Sequence, residues 1–292
     1  MSSSTASRER ADGPEPIASD TRKRRTIALK KAFIPLYHLL IPGGSLMVGV
    51  LPIMVAPTTA GRLAAVLIAP AIFAFAYVTI AGLLSRPHQR SIVPGKFPRS
   101  LDHPVYIDRR IYGLCLTAVY YFTPIYAAVL YIDPFRRYFF RLFGYKGELD
   151  FTIHPDTWIR DLPLVRFGKG VYVANQATIG TNIVADFGRS IWVDTVQVGD
   201  GSVIGSHTLI APGAVIGKGV EVGIRTICGL KVRIHDGATI GPDAAIGHGA
   251  VIGVGANVGR RAEVDLRVRI EPGAVVPPFA RITKEGAQAD HL

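Results

Sequence analysis

Residues 198–257 read VGDGSV IGSHTL IAPGAV IGKGVE VGIRTI CGLKVR IHDGAT IGPDAA IGHGAV IGVGAN. Every hexad opens on an aliphatic residue or Cys, and the count runs on through Val258, Val264, Ile270 and Val276. The fifth residue is small or β-branched throughout, from Ser202 and Thr208 to Ala274 and Ala280, and Gly stands second in most hexads. A period of six is too short for a helical repeat. It suits a short strand and a turn, with one large and one small side chain facing a narrow interior. Working upstream, Phe167, Val173 and Ile179 open three earlier hexads. The stretch Ala185–Gln197 (ADFGRSIWVDTVQ) then breaks the count. Such a break marks a loop leaving the repeat, where repeat proteins place function.

The remainder of the 292 residues is of another kind. Nearly half the chain is apolar, much of it in two blocks near the front, and the net charge is +11. Residues 32–57 and 63–84 carry no formal charge, and each is long enough to cross about 30 Å of hydrocarbon. Only a short turn with one Arg separates them. Basic runs flank the pair on both sides: Arg22 to Arg25 with Lys30 and Lys31 before it, Arg86 to Arg99 after it. The expectation is a transmembrane hairpin with both ends in the cytosol. Charge placed in this way argues for a membrane surface and against nucleic acid. Pro42-Gly43-Gly44 is expected to loosen the first span, and His38 within that span is expected to reach the headgroups. Residues 111–132 are long enough for a third span but are interrupted by Pro124 and crowded at both ends by basic and aromatic residues. They are expected to lie in the cytosolic leaflet. Cys115 and Cys228 suggest neither a disulfide nor a metal pair.

The hexads, of the form [LIV]-G-x-x-[small]-x, resemble those of left-handed β-helix acyltransferases. The resemblance covers about residues 165–282 and implies a mainly β fold: a left-handed parallel β-helix of about six coils stacked about 4.8 Å apart. It would be an exception to the right-handed crossover rule. The resemblance further implies a homotrimer, acyl-CoA as donor and a hydroxyl or amine acceptor. A second likeness rests on the two apolar helices and on Asp161-Leu162-Pro163-Leu164-Val165, followed by Phe167-Gly168-Lys169-Gly170. These resemble the membrane-anchored C-terminal region of polylysine-synthetase-type non-ribosomal peptide synthetases. That likeness implies a carrier-protein or peptide-synthetase partner.

The expected domains are a disordered basic N-terminus (1–28), a transmembrane helical hairpin (29–86), an interfacial helical region (87–149), the β-helix (150–284) and a C-terminal tail (285–292). Acyl transfer needs a general base within hydrogen-bond reach of the acceptor. The related membrane proteins carry Thr-His where the loop leaves the prism; here Thr181 is followed by Asn182. The base is therefore expected elsewhere: His207, in the coil after the excursion, or His154, at the junction of membrane and prism. Asp194 either orients a His or caps a turn. Lys231, Arg233, Arg260 and Arg261 are expected to meet the phosphates of acyl-CoA. His207, His235 and His248 fall on three different sides of the prism by hexad count, so within one chain they cannot share a site, though across a trimer interface they could. A zinc site of the γ-carbonic anhydrase kind needs a second His five residues after His248, where Gly253 stands, so no metal is expected. The protein is expected at a bacterial-type inner membrane with the β-helix facing the cytosol. The alternative is a non-catalytic trimeric scaffold for a membrane biosynthetic complex.

Overall fold

A computed structural model describes residues 21–284 and 286–289. Two long helices come first, α1 (Thr21–Val55) and α2 (Thr59–Gln89), and both are long and apolar enough to cross a membrane. Helix already begins at Thr21, inside the segment expected to be disordered; residues 1–20 lie outside the described ones. Nor is α1 broken at Pro42-Gly43-Gly44: it runs through Pro35, Pro42 and Pro52. Gly44 and Gly49 serve packing instead. A Cβ on Gly49 would stand 3.1 Å from the Phe73 Cβ, and one on Gly44 3.2 Å from Ile80. Small residues of this kind let membrane helices approach. Thr58 turns the chain, its hydroxyl oxygen accepting from the Gly61 N–H at the start of α2.

A short strand β1 (Gly95–Pro98) follows, then α3 (Pro104–Tyr120), α4 (Thr123–Tyr131) and α5 (Asp133–Leu142). Between α3 and α4 the chain bends by 83°. These helices close one end of the β domain. Phe139, Phe140, Phe143 and Tyr145 are buried, and Phe140 meets Phe151 at 5.0 Å, which in turn meets Phe167 at 5.4 Å. The first coil has no coil beneath it, so its apolar interior would otherwise face water. The aromatic layer covers it. Arg136, one of the basic residues just after the 111–132 segment, donates to the Phe151 carbonyl and lies over that ring.

The β domain is the left-handed parallel β-helix expected from the hexads, a prism of three parallel sheets. Its first coil starts earlier than the hexad count, with β2 (Phe151–Ile153), β3 (Trp158–Ile159) and β4 (Val165–Phe167). The second holds β5 (Val171–Val173) and β6 (Thr178–Ile179). The excursion follows, as β7 (Asn182–Ala185) and β8 (Ser190–Val193), and β9 (Val196–Val198) closes the coil. The third holds β10 (Val203–Ile204), β11 (Leu209–Ile210) and β12 (Val215–Ile216). Face I contains β2, β5 and β10; face II contains β3, β6 and β11; face III contains β4, β9 and β12. Later coils continue each face in the same register, so that Ile204 pairs with Val222 and Val222 with Ile240.

The hexad is now physical. Its first residue points inward, as with Ile204, Ile210, Ile234 and Ile252, all at 2 % exposure or less. Where the inward small residue is Ser or Thr, its hydroxyl donates to the next coil: Ser202 to the Gly217 carbonyl at 2.7 Å, Thr208 to Gly223 at 2.9 Å. The second-position Gly sits where coils touch. A Cβ on Gly199 would stand 2.6 Å from the Gly217 carbonyl carbon. At the far end Ala280–Thr283 pairs with Gly286–Ala289, antiparallel, inside the expected C-terminal tail.

Candidate functional site

The fourth residue of each hexad turns the corner with a positive φ, and the three edges of the prism differ in what they place there. The edge from face III to face I uses Gly throughout: Gly170, Gly201, Gly219, Gly237, Gly255 and Gly273. The edge from face I to face II uses none. Its column reads Asp156, Gln176, His207, Arg225, Asp243, Arg261 and Phe279, with φ between 54° and 64°. Left-handed backbone disfavours a Cβ by roughly 1–2 kcal/mol per residue. This edge therefore keeps outward side chains against local strain. His207 stands in the middle of it, exposed, its N–H bonded to the Asn175 carbonyl at 3.1 Å. His154 lies on the same edge two coils nearer the helices, its ring 5.0 Å from that of Tyr172. The two expected bases thus share an edge but stand about 10 Å apart, by the coil spacing. Arg225, which the sequence reading passed over, is held by Asp243 through bonds of 2.6 and 2.9 Å.

On face II, toward its edge with face III, lies a cavity of about 280 Å³; its nearest approach along the chain to the His207 edge is Leu209. Trp158, Thr178 and Leu209 from three successive coils floor it, and Asn182 and Pro212 close the far side. That far side is the excursion. It leaves at Asn182, three residues before the hexad count breaks, and forms a β7–β8 hairpin. The hairpin is clasped by β1, which pairs with β8 from Gly95↔Val193 to Pro98↔Ser190. Lys96 meets Asp186 at 2.8 Å, and the Arg99 N–H donates to the Arg189 carbonyl. The Lys96 hydrogen bond first, and then that from the Ser190 hydroxyl, hold the Asp186 carboxyl below the usual range. The strand that follows the second apolar helix is therefore part of the loop that borders the cavity. Nothing in VPGKFP announces this: a four-residue strand with Pro98 at its end suits a sheet edge, but its partner lies in the distant hairpin.

The other expected residues divide. Asp194 caps a turn, accepting from the Thr195 N–H at 2.8 Å, and is not beside a His. Lys231 stands on the edge from face II to face III, its ammonium 4.6 Å from the Trp192 ring of the hairpin. Arg233 is exposed on face III. Arg260 and Arg261 lie at the far end of the His207 edge, both against the Phe279 ring. The four cations do not form one patch within a single prism. His235 and His248 occupy the two other edges; the His248 Nδ1 accepts from the Leu230 N–H at 2.9 Å. No group of three metal-ligating side chains gathers among the described residues.

No family model and no curated protein matches the sequence. Among solved structures, a variant of perosamine N-acetyltransferase from Caulobacter crescentus, in complex with CoA and GDP-perosamine, is 21% identical. The match covers 49% of this chain and 57% of that one, with a TM-score of 0.32. LpxA from Acinetobacter baumannii is 16% identical over 48% of this chain and 71% of its own, with a TM-score of 0.26. The acetyltransferase domain of PglB from Neisseria gonorrhoeae, in complex with acetyl coenzyme A, is 16% identical over 53% and 63%, with a TM-score of 0.23. The chain thus spans little more than half the length of the first of these. It is a hexapeptide-repeat β-helix protein. That statement rests on its own hexads and three-sided coil.

In this hexapeptide-repeat protein one buried polar knot joins helices to prism and a second ties the helices to one another. Arg109, one of the basic residues just before the 111–132 segment, is 5 % exposed and donates to Asp161, which is 1 % exposed. Thr181, the residue before the excursion, donates to the same carboxylate at 2.6 Å. One carboxylate thereby fixes α3, the first coil and the root of the hairpin. The second knot gathers on Asp108. It receives the Lys30 ammonium at 2.5 Å, the His88 Nδ1 at 2.7 Å and the Ser91 hydroxyl at 2.6 Å. Burial pushes the Asp108 carboxyl up, but the three hydrogen bonds, His88 first, more than offset this and leave it below the usual range. Both knots were missed in the sequence, where His88 and Asp108 are merely polar residues near basic ones. Burial also pushes the Cys228 thiol up to about 12, so it stays protonated within the core.

Proposed function

We propose that the protein is a membrane-anchored acyltransferase, moving an acyl group from acyl-CoA or a carrier-protein thioester to a hydroxyl or amine of a membrane-associated acceptor. The observation that carries this reading is the cavity on face II. It lies on face II at the helix-capped end of the prism, bordered by a hairpin clasped by the strand that follows α2, and its floor includes Leu209, two residues from His207. A fold hosts many activities, and the site has to carry the argument. CoA or acetyl-CoA in complexes of proteins with similar fold supports the donor.

In this reading His207 acts as general base. An imidazole nitrogen takes the proton of the acceptor hydroxyl or amine as that atom attacks the thioester carbonyl. The tetrahedral intermediate then expels the thiolate, which takes the proton back from the imidazolium. The products are the acylated acceptor and a free thiol. His154, two coils nearer the bilayer, is the second choice. Lys231 and Arg233 on one side and Arg260 and Arg261 on the other are proposed phosphate contacts. Assembly as a homotrimer would set these two groups against neighbouring prisms. The prism faces the cytosol, where acyl-CoA is found, with α1 and α2 spanning the inner membrane as a hairpin and α3–α5 at the interface. A peptide-synthetase or carrier-protein partner rests on the Asp161–Val165 lead-in alone.

The test is thermal stabilisation of the detergent-purified protein by acyl-CoAs of increasing length, against free CoA, since a ligand stabilises the state it binds. A chain-length-dependent shift, with turnover abolished in His207→Ala, is expected. No shift with any acyl-CoA would remove CoA as donor. The second reading, a non-catalytic scaffold, is favoured by Asn182 at the root of the excursion. Full biological activity in a His207→Ala, His154→Ala double variant would establish it.

A further inference from the structure

The face II cavity does not end at the prism. Trp158 and Arg160 also line a second cavity of about 310 Å³, with Ile34 and His38 of α1 and Arg110 and Leu114 of α3. His38, Leu114 and Thr117 are in turn shared with a third, of about 320 Å³, bounded by Ile41, Pro42, Tyr77 and Phe122. The three adjoin in series, from the floor of the prism to the flank of α1 and α2. No Asp or Glu lines any of them, whereas the middle one holds two arginines and a histidine.

The arginines there differ from their neighbours. Arg109 is buried against Asp161, and Arg136 and Arg137 are paired with Asp133. Arg110 and Arg160, exposed in the groove, have no carboxylate partner among the described residues. The Arg160 guanidinium reaches α3 at Gly113, 4.0 Å from where a Cβ would stand. Two unpaired guanidinium groups facing a groove without a carboxylate suit an anion with several oxygens, and above all a phosphate. The third cavity points to its source. It opens on α1 at His38–Pro42, within a helix long and apolar enough to cross a membrane, where Leu36, Leu39 and Leu40 are exposed.

We propose that this groove seats a phosphate-bearing membrane lipid. The phosphate lies between Arg110 and Arg160, the hydrocarbon leaves past His38 and Phe122 along α1 and α2, and the headgroup reaches Asn182 and Leu209 in the face II cavity. Binding of the lipid stands on the groove alone. That this lipid is the acyl acceptor, its headgroup hydroxyl or amine presented at Leu209, two residues from His207, rests on the function proposed above.

The experiment uses the full chain in detergent micelles with a fluorescent phosphatidic acid as probe. Wild type is compared with Arg110→Gln, Arg160→Gln and the double variant, with Arg225→Gln, outside the groove, as control. Both groove arginines are exposed, so the thermal transition should be unchanged. Each single variant is expected to weaken binding roughly tenfold, as loss of a charged hydrogen bond does. The double variant should lose more and the control nothing, with phosphatidylcholine a weaker competitor than phosphatidic acid. Equal affinity in wild type and double variant would overturn the proposal. So would displacement of the probe by adenosine 3′,5′-bisphosphate as effectively as by phosphatidic acid, since the groove would then be a soluble-nucleotide site. Arginine-dependent lipid binding without any acyl-CoA shift would keep this inference and sink the acyltransferase reading; the reverse pattern would do the opposite.

Discussion

The prism and its helical base are stabilised in different ways. In the prism one environment recurs: an inward aliphatic residue, an inward small one, and a neighbour eighteen residues on in identical register. No position is special, and the stabilisation is spread along the coil. In the base no environment repeats. Two buried carboxylates, Asp108 and Asp161, each collect cations and hydroxyls from several elements, and an aromatic layer fills what remains. A periodic structure tolerates local damage because each coil depends chiefly on its neighbours. A knot concentrates its dependence in one side chain.

The contrast is most easily broken at Asp161. Asp161→Ala would leave the Arg109 guanidinium buried without its carboxylate, and loss of one partner of a buried pair costs about 3–5 kcal/mol. Chemical unfolding in detergent should show a loss of that size; a change near zero would mean the knot does not hold base to prism. Next in size, Ile240→Ala and Ile252→Ala should each cost about 3 kcal/mol, as large-to-small core changes do. The sharper expectation is that the two agree, since their surroundings repeat. A wide spread would deny the equivalence of coils.

The third expectation is a pH dependence in the base, where the lowered carboxylate is buried, whereas that of Asp186 in the hairpin is exposed to solvent. The Asp108 carboxyl lies below its ordinary value in the folded state. Its contribution is thus present above the unfolded value of about 4 and is lost as pH falls through the lower folded value. Helical unfolding followed by circular dichroism should become easier below about pH 4, and Asp108→Asn should flatten that part of the profile. The smallest effect concerns the strained edge. His207→Gly relieves a left-handed Cβ and should leave stability unchanged or raise it by up to about 1 kcal/mol, while removing the proposed base. A destabilised His207→Gly variant would mean that the His207 ring packs against something outside the single chain.

How much could be read beforehand follows the same division. The hexads announced a β-helix and its inward residues, because a period of six is local and survives in the linear text. The two apolar helices were legible for a similar reason, their length and lack of charge being properties of a segment. The first coil was not, since Phe151, Trp158 and Val165 precede the regular spacing. The hexad count alone breaks only at Ala185, because Asn182–Ala185 still looks like the next strand of the count, whereas the Thr181-Asn182 pair marked the true root of the excursion. Its sheet partner, β1, could not be read at all.

By itself, then, the sequence determined the prism, its core and the presence of two membrane-length helices. Each follows from periodicity or from transfer of apolar segments out of water, which depend on neighbours in the chain. Only the tertiary structure decided that Arg109 is buried while Arg110 is free, and that His154 and His207 share an edge. It alone brought strand β1 to the hairpin and carried the groove from α1 to Asn182. Those facts depend on pairings between distant segments, and a charge in a sequence carries no mark of the partner that burial will provide.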